Sequence, residues 1–251
     1  MSIPFDLTGR TALVTGGGRG LGAGITRAML DAGADVIVFG RSELPSDLRE
    51  YAIERGRALD LYSVDLGEGQ GIAEVSAAVL AERQVDILVN NAGTQERSPA
   101  VDFPLESFDR VMEVNLRSVF QLCQIFGRPM LERGEGKIIN LASLLSFQGG
   151  ITVPAYAASK GAVAQLTKAL CNEWAGKGVN VNAVAPGYMA TEMNSALLAD
   201  PDRLAQLSAR IPAGRWGQPE DIGNVVVFLA ASASAYIHGQ VLAVDGGWLA
   251  R

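Results

Sequence analysis

Thr11–Gly22 reads TALVTGGGRGLG, a short apolar and β-branched run that enters a turn holding Gly16, Gly17, Gly18, Gly20 and Gly22. Beyond it Leu21, Ile25, Ala28, Met29 and Ala32 recur on one helical face, so the turn joins a strand to a helix. Glycine at such a turn lets the backbone approach a pyrophosphate, and the helix start offers free N–H groups and the positive end of its dipole. Gly16, Gly18, Arg19, Gly20, Leu21 and Gly22 are therefore read as the phosphate cradle of a dinucleotide. A P-loop is excluded, because no Gly-Lys-Ser/Thr follows these glycines.

The same strand-then-helix rhythm continues along the chain. Apolar runs at Thr11–Thr15, Asp35–Phe39, Ala58–Val64, Asp86–Asn90, Lys137–Leu141, Asn180–Ala185 and Val241–Val244 read as strands. Helices are expected at Leu21–Ala32, Ser46–Arg55, Ile72–Glu82, Ser107–Leu131, Tyr156–Ala175, Thr191–Ala209 and Pro219–Ala231. Most strand candidates lack polar alternation, as strands covered on both faces do. The expected fold is an α/β, Rossmann-type doubly wound parallel sheet of about seven strands with helices on both faces. No linker or repeat divides the chain, so residues 1–251 are read as a single domain. The segment at about 188–217 fits the rhythm least and is the candidate for a lid over the substrate.

Composition removes several functions. The 21 Lys and Arg against 27 Asp and Glu give a net charge of −6, which disfavours nucleic-acid binding. No apolar run reaches the ~20 residues that span a bilayer. The start MSIPFDLTGR has neither the basic residues nor the apolar stretch of a secretory signal, so a cytoplasmic protein is expected. Cys123 and Cys171 lie far apart and His238 is the one histidine, so no metal site is expected and no triad built on histidine is favoured.

Cofactor choice is read at the end of the second strand. An acid there would pair with the ribose hydroxyls, while a nearby Arg suits a 2′-phosphate. The chain has Gly40 followed by Arg41, and Arg19 adds a second positive charge in the glycine turn, which leans the reading to NADP(H). NAD(H) stays open, with Glu43 serving the ribose instead. Asp65 and Leu66, ending the third strand, are placed to meet the adenine, although Asp65 suits a turn or helix cap equally well.

YAASK puts Tyr156 and Lys160 four residues apart and so on one face of a helix. A tyrosine of pKa ~10 is a poor base near neutrality, but a nearby ammonium and a nicotinamidium ring favour the phenolate. Tyr156 is then a candidate to exchange a proton with a hydroxyl or carbonyl as hydride moves.

TGGGRGLG, the NNAG of Asn90–Gly93, the NL at Asn115–Leu116, the LAS of Leu141–Ser143, YAASK and the APG of Ala185–Gly187 together resemble the short-chain dehydrogenase/reductase family. The match spans nearly the whole chain, each motif in the family's order. The resemblance implies a catalytic tetrad: Ser143 orients the reacting oxygen, Tyr156 is acid/base, Lys160 holds the nicotinamide ribose and tunes Tyr156, and Asn115 supports a water relay. It implies that Asn91, Ala92 and Gly93 pack on the cofactor, and that Pro186, Gly187, Met189 and Thr191 embrace its nicotinamide end. It also implies a homotetramer, formed through the Tyr156–Ala175 helix, the long helix before it and the last strand.

SFQGG (Ser146–Gly150), NEWA (Asn172–Ala175), APGYMAT (Ala185–Thr191), RIPAGRWG (Arg210–Gly217) and the ending AVDGGWLAR resemble that family's sugar-acid branch, the 2-deoxy-D-gluconate and gluconate dehydrogenases. A small sugar acid of about six carbons is the implied substrate. Arg97 or Arg215 is the candidate partner of its carboxylate, and Gln148 of a hydroxyl. A 3-oxoacyl-[acyl-carrier-protein] reductase shares every catalytic motif and is the alternative enzyme. A silent dinucleotide sensor is the alternative outside catalysis, disfavoured by an intact Ser143, Tyr156 and Lys160.

Overall fold

A computed structural model describes residues 4–194, 197 and 199–251. Seven strands alternate with helices: β1 Thr11–Thr15, β2 Asp35–Gly40, β3 Leu59–Ser63, β4 Ile87–Asn90, β5 Gly136–Leu141, β6 Val179–Pro186 and β7 Val241–Val244. The helices are α1 Gly20–Asp31, α2 Ser46–Glu54, α3 Gly69–Glu82, α4 Leu105–Met112, α5 Ser118–Arg133, α6 Pro154–Trp174, α7 Pro201–Arg210 and α8 Pro219–Ala230. The strands form one sheet in the order β3-β2-β1-β4-β5-β6-β7, with every pairing parallel. This is the doubly wound α/β architecture that the sequence predicts.

Alternate residues of each strand serve opposite faces. Val14, Val36, Val38, Val89 and Ile139 pack with Ile25 and Met29 of α1 and Ile222 and Val226 of α8. Leu13, Ile37, Phe39, Leu88 and Ile138 pack on the other side with Ile72 of α3, Phe126 of α5 and Trp174 of α6. Because both faces of β1, β2 and β4 are dry, those strands read as nearly unbroken apolar runs. Gly127 brings α5 against α6, since a Cβ there would lie 2.9 Å from the Trp174 ring.

The expected helix Ser107–Leu131 is helical throughout, from Leu105 to Arg133, with a π-helical turn at Glu113–Arg117 between α4 and α5. The wider turn admits one extra residue, and Asn115 sits in it fully buried. The expected helix Thr191–Ala209, by contrast, is not continuous. A 3₁₀ turn covers Glu192–Asn194, and α7 starts afresh at Pro201, where Asp200 accepts the N–H groups of Asp202 and Arg203. Residues 195, 196 and 198 of that expected helix lie outside the described residues.

The excursion between β6 and α8 is closed at its base. Met189 bridges Gly217, Gly217 N–H bonds Tyr188 O at 3.0 Å, and Ala190 N–H bonds Gly217 O at 2.9 Å. Within it Leu207, Ile211 and Trp216 share a small core with Leu144 and Trp248. No helix among the described residues is long and apolar enough to cross a membrane.

Candidate active site

The chain leaves β1 toward β2 on one side and places β4 on the other, so the carboxyl ends of β1 and β4 border the crevice where doubly wound sheets bind ligands. The glycine turn spans that crevice. Gly16 and Gly20 have φ of +66° and +51°, and a Cβ on Gly22 would fall 2.0 Å from the Gly16 carbonyl. No side chain caps the start of α1 and its first turn holds no acid, so its N–H groups face the crevice unanswered. A dinucleotide phosphate fits this cradle of open N–H donors beside the exposed Arg19.

The turn after β4 is tied to that of β1. Thr15 Oγ1 accepts the Ala92 N–H at 2.9 Å, and Asn91 Nδ2 donates to the Thr15 carbonyl at 2.8 Å. Thr191 stands across the cradle, its Cβ 4.0 Å from where a Gly20 Cβ would be. Pro186 ends β6, and Gly187 N–H bonds the Val244 carbonyl at 2.9 Å, while Met189 is buried behind it. At the far end of the crevice Arg41 is exposed and meets Asp65 at 3.5 Å. Asp65 also accepts the Gly67 N–H at 2.8 Å, the turn role open to it from sequence, and Leu66 is buried beside it.

Ser143, Tyr156, Lys160 and Asn115 converge beyond β5. Ser143 follows the strand in extended conformation and caps the 3₁₀ turn Leu144–Ser146, its Oγ accepting the Leu145 N–H at 3.2 Å. Pro154 at the first position of α6 starts that helix just ahead of Tyr156. Lys160, 4% exposed, sends its Nζ to the Leu141 carbonyl at 2.6 Å and lies 5.7 Å from the Tyr156 ring centre. Asn115 Oδ1 accepts the Thr94 N–H at 2.8 Å, and its Nδ2 donates to the Thr94 carbonyl at 2.9 Å and to Ser159 Oγ at 3.1 Å. Gly93 leaves room between them: a Cβ there would lie 3.4 Å from Asn115 Oδ1 and 3.6 Å from Lys160 Nζ.

Burial governs both titrating groups. It lowers the Lys160 ammonium to about 8 and raises the Tyr156 phenol, with the Ser143 hydroxyl pulling Tyr156 back down.

The three substrate candidates are not alike. Arg97 is exposed on the loop after Gly93, which is clipped to the loop before α6 by Ser98 N–H donating to the Thr152 carbonyl at 2.9 Å. Thr152 itself holds a left-handed φ of 64°. Gln148 Oε1 accepts the Trp248 indole N–H at 3.4 Å. Arg215 grips Asp221 with two bonds of 2.7 and 2.9 Å and holds that carboxyl down at about 2, so its charge is already matched. Thr15, Thr94 and Ser159, which tie the motifs together, were given no role by the sequence reading. Thr15 and Ser159 lie within its motifs and Thr94 directly follows one.

A glycine cradle at the switch point, with a tyrosine and lysine one turn apart beside it, defines an NAD(P)-dependent oxidoreductase that acts on CH–OH groups. The chain belongs to the short-chain dehydrogenase/reductase family: a family profile described as enoyl-(acyl carrier protein) reductase matches residues 16–249. The chain is 52% identical over 247 residues to the 2-dehydro-3-deoxy-D-gluconate 5-dehydrogenase of Bacillus subtilis, covering 98% of this chain and 97% of that one. A structure assigned as an NAD(P)-dependent gluconate 5-dehydrogenase of Beutenbergia cavernae, with NADP bound at low occupancy, superposes with a TM-score of 0.96 at 49% identity, over 99% of this chain and 100% of that one. One assigned as a 2-deoxy-D-gluconate 3-dehydrogenase of Agrobacterium tumefaciens, with NADP bound, gives 0.94 at 46% identity over the full length of both chains.

Proposed function

We propose that the protein is an NADP(H)-preferring dehydrogenase of sugar acids, moving hydride between the nicotinamide and a secondary alcohol or ketone of a 2-deoxy- or 3-deoxy-2-keto-gluconate. The observation that carries the proposal is the convergence of Ser143, Tyr156, Lys160 and Asn115 beside the glycine cradle, in a chain that full-length sugar-acid dehydrogenases match. A bound nicotinamide supplies the hydride acceptor or donor.

In the oxidising direction the Tyr156 phenolate takes the hydroxyl proton of the substrate as the C–H hydride leaves, and the C–O bond becomes a carbonyl. Ser143 donates to the same oxygen and keeps it within reach of Tyr156. Lys160, anchored on Leu141 O, holds positive charge near the phenolate. Asn115 keeps the Thr94 backbone and Ser159 fixed around Lys160. Reduction runs the same proton outward, from Tyr156 to the forming alkoxide.

Gly16–Gly22 and Asn91–Gly93 hold the dinucleotide, with Arg19 and Arg41 set to read a 2′-phosphate. Leu66, Pro186, Gly187, Met189 and Thr191 line the remainder. The 188–217 excursion serves as lid. Because Arg215 is matched by Asp221, Arg97 is the better partner for the substrate carboxylate.

A cytoplasmic homotetramer completes the reading. An apolar groove of about 600 Å³, walled by Met112 of α4, Leu116 of the π turn, Phe120 of α5 and Leu166 of α6 and rimmed by charge, supports assembly through those helices. A solution mass near four times 26.4 kDa is the expected result.

The deciding experiment is steady-state turnover with NADPH and NADH in parallel, against keto-sugar acids and an acetoacetyl thioester. Sugar-acid turnover favouring NADPH is expected. Thioester reduction with silence toward sugar acids would instead make the protein an acyl reductase.

A further inference from the structure

We propose that Ser146 is a positioning residue whose single hydroxyl joins the catalytic serine to the helix of the catalytic lysine. Ser146 closes the 3₁₀ turn that Ser143 opens. Its Oγ accepts the Ser143 N–H at 3.2 Å and donates its proton to the Lys160 carbonyl at 2.7 Å. A hydroxyl has one proton to give and lone pairs to accept with, so both bonds are made at once.

Apart from Asn140 Nδ2 donating to Thr167 Oγ1 at 2.9 Å farther along α6, two ties join the end of β5 and its turn to α6, and this bond is the second. The first, Lys160 Nζ on the Leu141 carbonyl, runs through a long side chain with several rotatable bonds. That tie fixes the ammonium and makes no bond to the Ser143 backbone itself. The Ser146 tie is short and runs from backbone to backbone, from Ser143 N–H to Lys160 C=O. It fixes the direction in which Ser143 Oγ faces Tyr156. A capping role alone would need the bond to Ser143 N–H; the bond to Lys160 serves no cap of that turn. A misplacement of ~1 Å at a reacting group costs on the order of 100-fold in rate, which sets the scale of the effect.

The inference rests on the proposed chemistry of Ser143, Tyr156 and Lys160. The test is kcat, KM and NADPH binding by fluorescence titration for Ser146→Ala, Ser146→Cys and Ser146→Thr, with Tyr156→Phe in parallel. Ser146→Cys keeps the shape while weakening both bonds, and stands in should Ser146→Ala fold poorly. The Ala and Cys variants are expected to lose about tenfold or more in kcat. Their NADPH affinity should stay within about twofold, because Ser146 lies outside the cradle. Ser146→Thr, which keeps the hydroxyl, should recover kcat to within about threefold of the parent. Unchanged kcat in the Ala or Cys variant, loss of NADPH affinity in step with kcat, or a Thr variant no better than Ala would overturn the inference. Full turnover by Tyr156→Phe would overturn the catalytic reading beneath it instead.

Discussion

Asn115 and Lys160 are 0% and 4% exposed, and their polar side-chain groups bond to amides, hydroxyls or carbonyls held by the fold, whereas Arg19 and Arg41, in the same crevice, stand in solvent. Among the described residues, the charged partner of Arg41 is Asp65, at 3.5 Å. On the proposed reading, the reacting end is therefore set before a ligand arrives, by bonds within the fold. The proposed selecting end is a pair of surface charges whose value depends on the ligand's own charge. Substitutions at the first should cost catalysis and shift stability together, while those at the second should change which cofactor is used and little else.

The largest expected effect is at Lys160. Lys160→Met should lower kcat by roughly 10²–10⁴. Its stability effect has the opposite sign. Burial lowers the ammonium from 10.5 to about 8, so between those values the unfolded chain holds a proton that the folded one has released. This group alone makes stability rise with pH across that window, and below it the folded state carries a buried charge. Ligand-free Lys160→Met should accordingly melt above the parent at pH 7, with the gain gone at pH above 10.5, as calorimetry across pH would record. A lower melting point at pH 7 would mean that the Leu141 bond outweighs desolvation.

Asn115→Ala comes next. It strands the Thr94 N–H and carbonyl and costs ~1–3 kcal/mol, or a fall in Tm of several degrees by calorimetry. A Tm within a degree of the parent would break the contrast between the two ends. Arg41→Ala should raise the NADPH KM about tenfold and leave the NADH KM within about twofold, since a charged hydrogen bond contributes ~1.5–3 kcal/mol. Equal effects on both cofactors would show Arg41 to be structural. Smallest is Arg215→Ala, an exposed pair whose loss should move Tm by no more than ~2 °C and substrate KM by less than about threefold. Arg97→Ala should raise substrate KM well beyond that. The reverse order would return the carboxylate to Arg215.

The sheet was legible because buried parallel strands leave unbroken runs such as Asp35–Phe39, and the pairing of Tyr156 with Lys160 because residues four apart share one face of α6. The π turn at Glu113–Arg117 was not, since it keeps the buried positions Val111, Asn115, Ser118 and Leu122 on one face, as an unbroken α-helix would. The pairing of Arg215 with Asp221, six residues on, was equally hidden. Both residues suit a solvated surface, and only the fold of the loop onto α8 brings them together. Ser159 and Thr94 carry no pattern of their own and become visible through the atoms they hold.

The most direct test is turnover of 2-dehydro-3-deoxy-D-gluconate with NADPH and NADH by three proteins: the parent, Tyr156→Phe, and the Arg19→Ala/Arg41→Ala double variant. The account predicts that Tyr156→Phe loses at least ~100-fold with both cofactors. It predicts that the double variant loses its NADPH preference while keeping its NADH kcat within about twofold. Substantial turnover by Tyr156→Phe, or loss of the NADH rate in the double variant, would contradict it.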